Sequence, residues 1–114
     1  MEKTINLGGV EYKLRSSLFT IISYRSTFGT ELFSDIKQIE KVSNANEEDL
    51  TTIIDTIFKL TYILHKPFTN KSYDEFLNDF DFSIITNAKE LENLSSVIAE
   101  LIGTIKKVDD KNTP

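Results

Sequence analysis

Apolar and polar residues first alternate along this chain and then recur every three to four positions, with the change of period near residue 16. Ile5 and Leu7 lead into Gly8-Gly9, and Val10, Tyr12 and Leu14 lead out. A Gly-Gly pair supplies the positive φ angles of a two-residue hairpin turn, so residues Lys3 to Arg15 are expected to form two short antiparallel strands. The period of two sets Val10, Tyr12 and Leu14 on one face and Glu11, Lys13 and Arg15 on the other. A lone two-stranded hairpin is barely stable in water, so its apolar face needs a cover.

From Ser16 or Ser17 the period becomes helical. Either serine is a favoured N-cap, and Gly29 stands where a left-handed C-cap belongs. Leu18, Phe19, Ile21, Ile22 and Phe28 spread apolar surface widely around this helix, which predicts a central position for it. Leu32, Phe33, Ile36 and Ile39 predict a short helix within Thr30 to Val42. A polar break, Ser43 to Asp49, carries an N-cap at Asn46 and acids at the positive end of the next helix. That helix holds Leu50, Ile53, Ile54, Ile57, Phe58, Thr61 and Leu64 in register and closes at Pro67. Ser72-x-x-Glu75 is a capping box for a short helix through about Asp79, with Phe76, Leu77 and Phe80 as its apolar side. A last long helix is expected from Ser83 to Lys106. The fold class is therefore mainly α with a small N-terminal β-hairpin (α+β), four to five helices around one core. Residues 1–106 form the single domain, and 107–114 are expected to be a polar, disordered tail.

Composition narrows the functions this fold can carry. A length of 114 residues suits one core, and 39% hydrophobic with 27% charged residues fits a globular chain. No apolar run approaches the ~20 residues of a bilayer span, and the N-terminal stretch lacks the apolar core of a secretory signal, so a cytoplasmic location is expected and no membrane partner. The absence of cysteine excludes disulfides and thiolate chemistry. A net charge of -5 argues against nucleic acid as a partner, because phosphate affinity comes mainly from Lys and Arg.

Candidate chemistry is sparse. Gly8-Gly9 lacks the further glycines or the Gly-Lys-Ser/Thr ending of a phosphate loop, and reads as a turn. His65 is the single histidine and falls in a last helical turn, where an imidazole is favoured by the helix dipole. Asp74, Glu75, Asp79 and Asp81 lack the alternation and central glycine of a calcium loop, and read as helix-terminal acids on a solvated face. Ser16, Ser17, Ser23, Ser26 and Thr27 fall in no nucleophile elbow and no S-x-x-K pair. No catalytic residue, cofactor or metal is expected. The aromatic residues are numerous for so small a domain. Most belong to the core, but Phe68, Tyr73, Phe80 and Phe82 lie around polar breaks and are the candidates for a partner-binding patch.

The segments "INLGGVEYKLRSSLFTIISYRSTFGTELFSDI" and "KSYDEFLNDFDF" resemble the small tail assembly chaperones of long-tailed bacteriophages of Gram-positive bacteria. Ile5, Leu7, Gly9, Glu11, Tyr12, Leu14 and Arg15 match that family's hairpin pattern, Thr27, Phe28 and Gly29 its helix end, and Tyr73, Phe76 and Leu77 its later aromatic segment. The resemblance is concentrated in the first ~35 residues and otherwise follows the order of elements. It implies a non-enzymatic protein of the host cell cytoplasm, absent from the mature virion, whose partners are the tape measure protein and the tail tube protein, with self-association as a lesser expectation. Many members are made in two lengths by a ribosomal frameshift. The alternatives are a small regulatory or inhibitory protein-binding module, antitoxin- or inhibitor-like, and an enzyme with an acidic metal site.

Overall fold

The computed structural model describes residues 1–40 and 47–111. Strands β1 (Glu2–Leu7) and β2 (Val10–Arg15) form the hairpin. Among the described residues six α-helices follow: α1 (Leu18–Phe28), α2 (Leu32–Glu40), α3 (Glu47–His65), α4 (Tyr73–Asn78), α5 (Ser83–Thr86) and α6 (Ala88–Lys111). A 3-10 turn, Lys66–Phe68, carries Pro67 and ends α3. The chain is mainly helical with an N-terminal antiparallel hairpin, an α+β fold. The N-cap expected at Asn46, and the start of the polar break at Ser43, lie outside the described residues.

The hairpin turn forms as the glycines require. Gly8 and Gly9 have φ of 61° and 85°, and Asn6 Oδ1 accepts the Gly9 N–H at 3.1 Å. Ile5, Leu7, Tyr12 and Leu14 are buried on one face. Val10, expected on that face, is exposed instead. It stands opposite Leu7 in the last pair before the turn, beyond the cover the helices give. That cover is α3 beneath β2 and α6 beneath β1. Lys3 Nζ lies 3.0 Å from Glu100 Oε1 of α6, and the Gly8 N–H donates to Glu90 Oε1 at 3.2 Å, so α6 holds the hairpin along one strand and at its tip.

Helix α1 starts at a capping box. Ser17 is the N-cap, and its own N–H donates to Thr20 Oγ1 at 3.0 Å. It ends at Gly29, whose φ of 75° places it in the left-handed region and whose N–H donates to Arg25 O at 2.8 Å. A Cβ at Gly29 meets open space, so Gly29→Ala should cost about 1 kcal/mol through backbone strain alone. Chemical denaturation checks this, and no loss would show that the C-cap can rearrange.

Helix α1 does not take the central position that its wide apolar coverage predicted. Thr20, Ser23 and Tyr24 are buried, while Leu18 and Ile22 are 71% and 60% exposed. The inward stripe is chosen by what can be satisfied there. Thr20 Oγ1 donates to Arg15 O at 3.4 Å, and Tyr24 Oη donates to Asp35 Oδ2 of α2 at 2.7 Å. Thr30 Oγ1 donates to that same carboxylate oxygen at 2.7 Å. The helix is thus a polar-lined strut at the periphery, and its aliphatic side faces out.

The last helix is also not continuous. Asn87 is extended, with φ -88° and ψ 92°, and its Oδ1 accepts the Glu90 N–H at 3.2 Å. An asparagine that caps a new helix this way competes with continuation of the old one, so the expected single helix becomes a four-residue α5 and a long α6. This division raises the helix count to six. At its other end α6 continues past Lys106 to Lys111.

Candidate functional site

An apolar groove of about 310 Å³ lies between α3, α4 and α5. Ile54 and Phe58 come from α3, Tyr73 and Leu77 from α4, Ile84 and Ile85 from α5, and Phe80, Asp81 and Phe82 from the link between the last two. The spacing of four along α3 sets Ile54 and Phe58 on one side of that helix. The Ser72 box fixes the direction of α4: Ser72 Oγ accepts the Glu75 N–H at 3.2 Å, and Glu75 Oε1 accepts the Ser72 N–H at 3.0 Å.

Three of the four aromatics singled out in the sequence meet at this groove. Tyr73 is half-buried, its ring 4.9 Å from Phe28 and 5.5 Å from Tyr62, and its hydroxyl donates to Asp55 Oδ1 at 3.3 Å. Burial, then the neighbouring Asp55 carboxylate, push this phenol well above its ordinary range. Phe80 stacks into the same cluster at 4.9 Å from Phe76 and 5.4 Å from Phe58. Phe82 stands 78% exposed on the rim. Phe68 is elsewhere: it follows α3, under the Arg15 guanidinium at 5.4 Å and beside His65. Tyr73 and Phe80 therefore build the groove wall, and Phe82 is the free aromatic edge.

The charged groups have structural tasks. Asp55 accepts from Tyr73 and pairs with Lys59 at 3.1 Å. Asp79 pairs with Lys71, and Glu75 closes the capping box. His65 Nδ1 lies 2.8 Å from Lys13 O. A carbonyl only accepts, so Nδ1 carries the proton there, and the imidazole staples the end of α3 to β2. Among the described residues no group of three or more His, Asp and Glu is gathered as a metal would need, and no helix is long and apolar enough to cross a membrane. The arrangement can bind apolar side chains; it brings no acid–base pair to the groove beyond Tyr73 and Asp55.

A second apolar surface escaped sequence reasoning. Leu18, Phe19 and Ile22 lie exposed on α1, beside a hollow of about 250 Å³ lined by Ile21, Ile22, Arg25, Glu31, Leu32 and Phe33. A signal for it was present in the sequence. Thr20, Ser23 and Tyr24 also share helical spacing, and a buried tyrosine demands a polar partner, which Asp35 supplies.

Comparison with protein-family models, with curated proteins and with solved structures gives no match to this chain.

Proposed function

We propose that this chain is a non-enzymatic tail assembly chaperone of a long-tailed bacteriophage, which binds the tape measure protein in the host cytoplasm, helps recruit tail tube subunits and is left out of the mature particle. The observation that carries the reading is the apolar groove between α3, α4 and α5 with Phe82 exposed on its rim. A long helical protein with an apolar stripe must be covered until the tail is built, and a groove lined by Ile, Leu and Phe suits the i, i+3, i+4 side chains of such a helix. The exposed side of α1 offers a second strip of similar chemistry. Many modest contacts along a long partner give a complex that holds by avidity and still releases. The net charge of -5 keeps such a complex soluble and away from nucleic acid.

Co-expression with the tape measure protein of the same genome tests this. A soluble complex is expected, and recovery of the tape measure protein only as aggregate, with no complex, ends the reading. Phe82→Asp should weaken the complex about tenfold, because it removes an exposed aromatic ring and sets a charge against the apolar side chains of the partner. Because Phe82 is 78% exposed, the melting temperature of the free chain should not change with it. Undiminished binding by the variant would move the contact away from this groove.

A further inference from the structure

The two edges of the hairpin are treated differently. Leu7 and Val10 flank the turn, and at the open end Met1 and Ser16 exchange hydrogen bonds of 3.2 and 2.9 Å. This alternation directs Lys3, Ile5 and Leu7 toward β2, and turns the backbone N–H and C=O groups of Glu2, Thr4 and Asn6 outward. On β2 the outward groups are those of Glu11, Lys13 and Arg15. That edge is partly covered: Lys13 O accepts from His65 Nδ1 and Arg15 O from Thr20 Oγ1, and the 3-10 turn after α3 packs against the strand. On β1, the outward backbone groups of Glu2, Thr4 and Asn6 have no partner among the described residues, and all three side chains are exposed. The strand is nevertheless held in place, by Lys3 on Glu100 and by the tip on Glu90. A fixed strand with an unpaired edge is a template for one kind of occupant, another extended strand.

We propose that β1 pairs antiparallel with β1 of a second copy of this chain, about a two-fold axis at Thr4, to give a four-stranded sheet across a dimer. The pattern of β1 is self-complementary in this register. Thr4 faces Thr4 of the second copy, a favourable β-branched pair, and Glu2 faces Asn6, so every outward group of Glu2, Thr4 and Asn6 is engaged and no like charges meet. A slip by one pair in one direction sets Lys3 against Lys3. A slip in the other sets Glu2 against Gly8, whose N–H is already held by Glu90. The dimer does not depend on the chaperone reading.

Sedimentation of the full chain over a concentration series is the test, with Thr4→Glu as the variant. Thr4 stands opposite Lys13 within the hairpin, so a glutamate there suits the monomer while setting two carboxylates face to face across the axis. The wild-type chain should show a monomer–dimer equilibrium, and Thr4→Glu should raise the dissociation constant about fivefold or more. Amide exchange at Thr4 and Asn6 should slow as concentration rises, with no such change at Glu11. A wild-type chain that stays monomeric at all concentrations, or a dimer indifferent to Thr4→Glu, overturns the proposal.

Discussion

Replacing Phe76 by alanine should cost about 3–5 kcal/mol, a third or more of the stability of an ordinary domain of this size. Phe76 is 1% exposed, and its ring lies within 6 Å of four others: Phe80 at 4.9 Å, Tyr62 at 5.4 Å, and Tyr12 and His65 each at 5.9 Å. These rings come from β2, α3 and the residues after α4, so the side chain ties its own helix to elements far apart in sequence. Its loss removes aromatic surface from the core and leaves a void that four stiff neighbours cannot close. In urea the midpoint should fall by about 2 M with little change in slope. A fall worth less than about 1 kcal/mol would mean that the cluster repacks freely, and that the groove wall built on Phe80 is not fixed.

The second large effect is alkaline lability. All four tyrosines, Tyr12, Tyr24, Tyr62 and Tyr73, are raised above the ordinary phenol range, each chiefly by burial. For Tyr24 the hydrogen bond to the Asp35 carboxylate adds to it, since a phenolate facing a carboxylate is repelled. In the unfolded chain these phenols lose their protons near pH 10, while in the folded chain they keep them to higher pH. Below pH 10 both states are protonated and the full stability is present. Above it the folded state binds more protons than the unfolded one, so stability falls as pH rises toward the folded values. Urea midpoints should therefore be flat from about pH 7 to 9 and decline steeply above 10. Tyr24→Phe should cost about 1–3 kcal/mol at neutral pH, because it strips a hydrogen bond from a carboxylate, and should also make the alkaline decline shallower. Phenolate absorbance appearing near pH 10 while the helices remain intact would contradict this account.

Much of the architecture was legible because several segments carry local instructions that tertiary packing did not override. Gly8-Gly9, Ser17, Gly29 and the Ser72–Glu75 box each fix an end or a turn through one or two hydrogen bonds, and each is observed as expected. Orientation was harder to read. The face of α1 that turns inward carries Tyr24, whose partner Asp35 lies eleven residues beyond it, and apolar count alone pointed to a central helix. Asn87 was hidden for a related reason: Ile84, Ala88 and Leu91 keep helical register across it, and the side-chain cap that interrupts the helix leaves no trace in that period. The groove was half legible. Aromatics beside polar breaks flagged Tyr73, Phe80 and Phe82, but their partners Ile54 and Phe58 belong to a helix whose placement depends on the whole core. Phe68 carries the same local signal and is drawn away by Arg15 and His65.

The break at Asn87 also has a mechanical meaning. Helix α6 is anchored to the hairpin through Glu90 and Glu100, whereas α5, which gives the groove Ile84 and Ile85, is four residues long and joined to α6 through one extended residue. Had the helix been continuous, redirecting α5 would have required bending a rod of about eight turns against its own hydrogen bonds. With the ladder cut, the direction of α5 is set by its own packing, with Ile84 buried in the core, and not by the contacts that hold α6 to the hairpin. The wall that carries Ile84 and Ile85 is thus placed independently of the sheet.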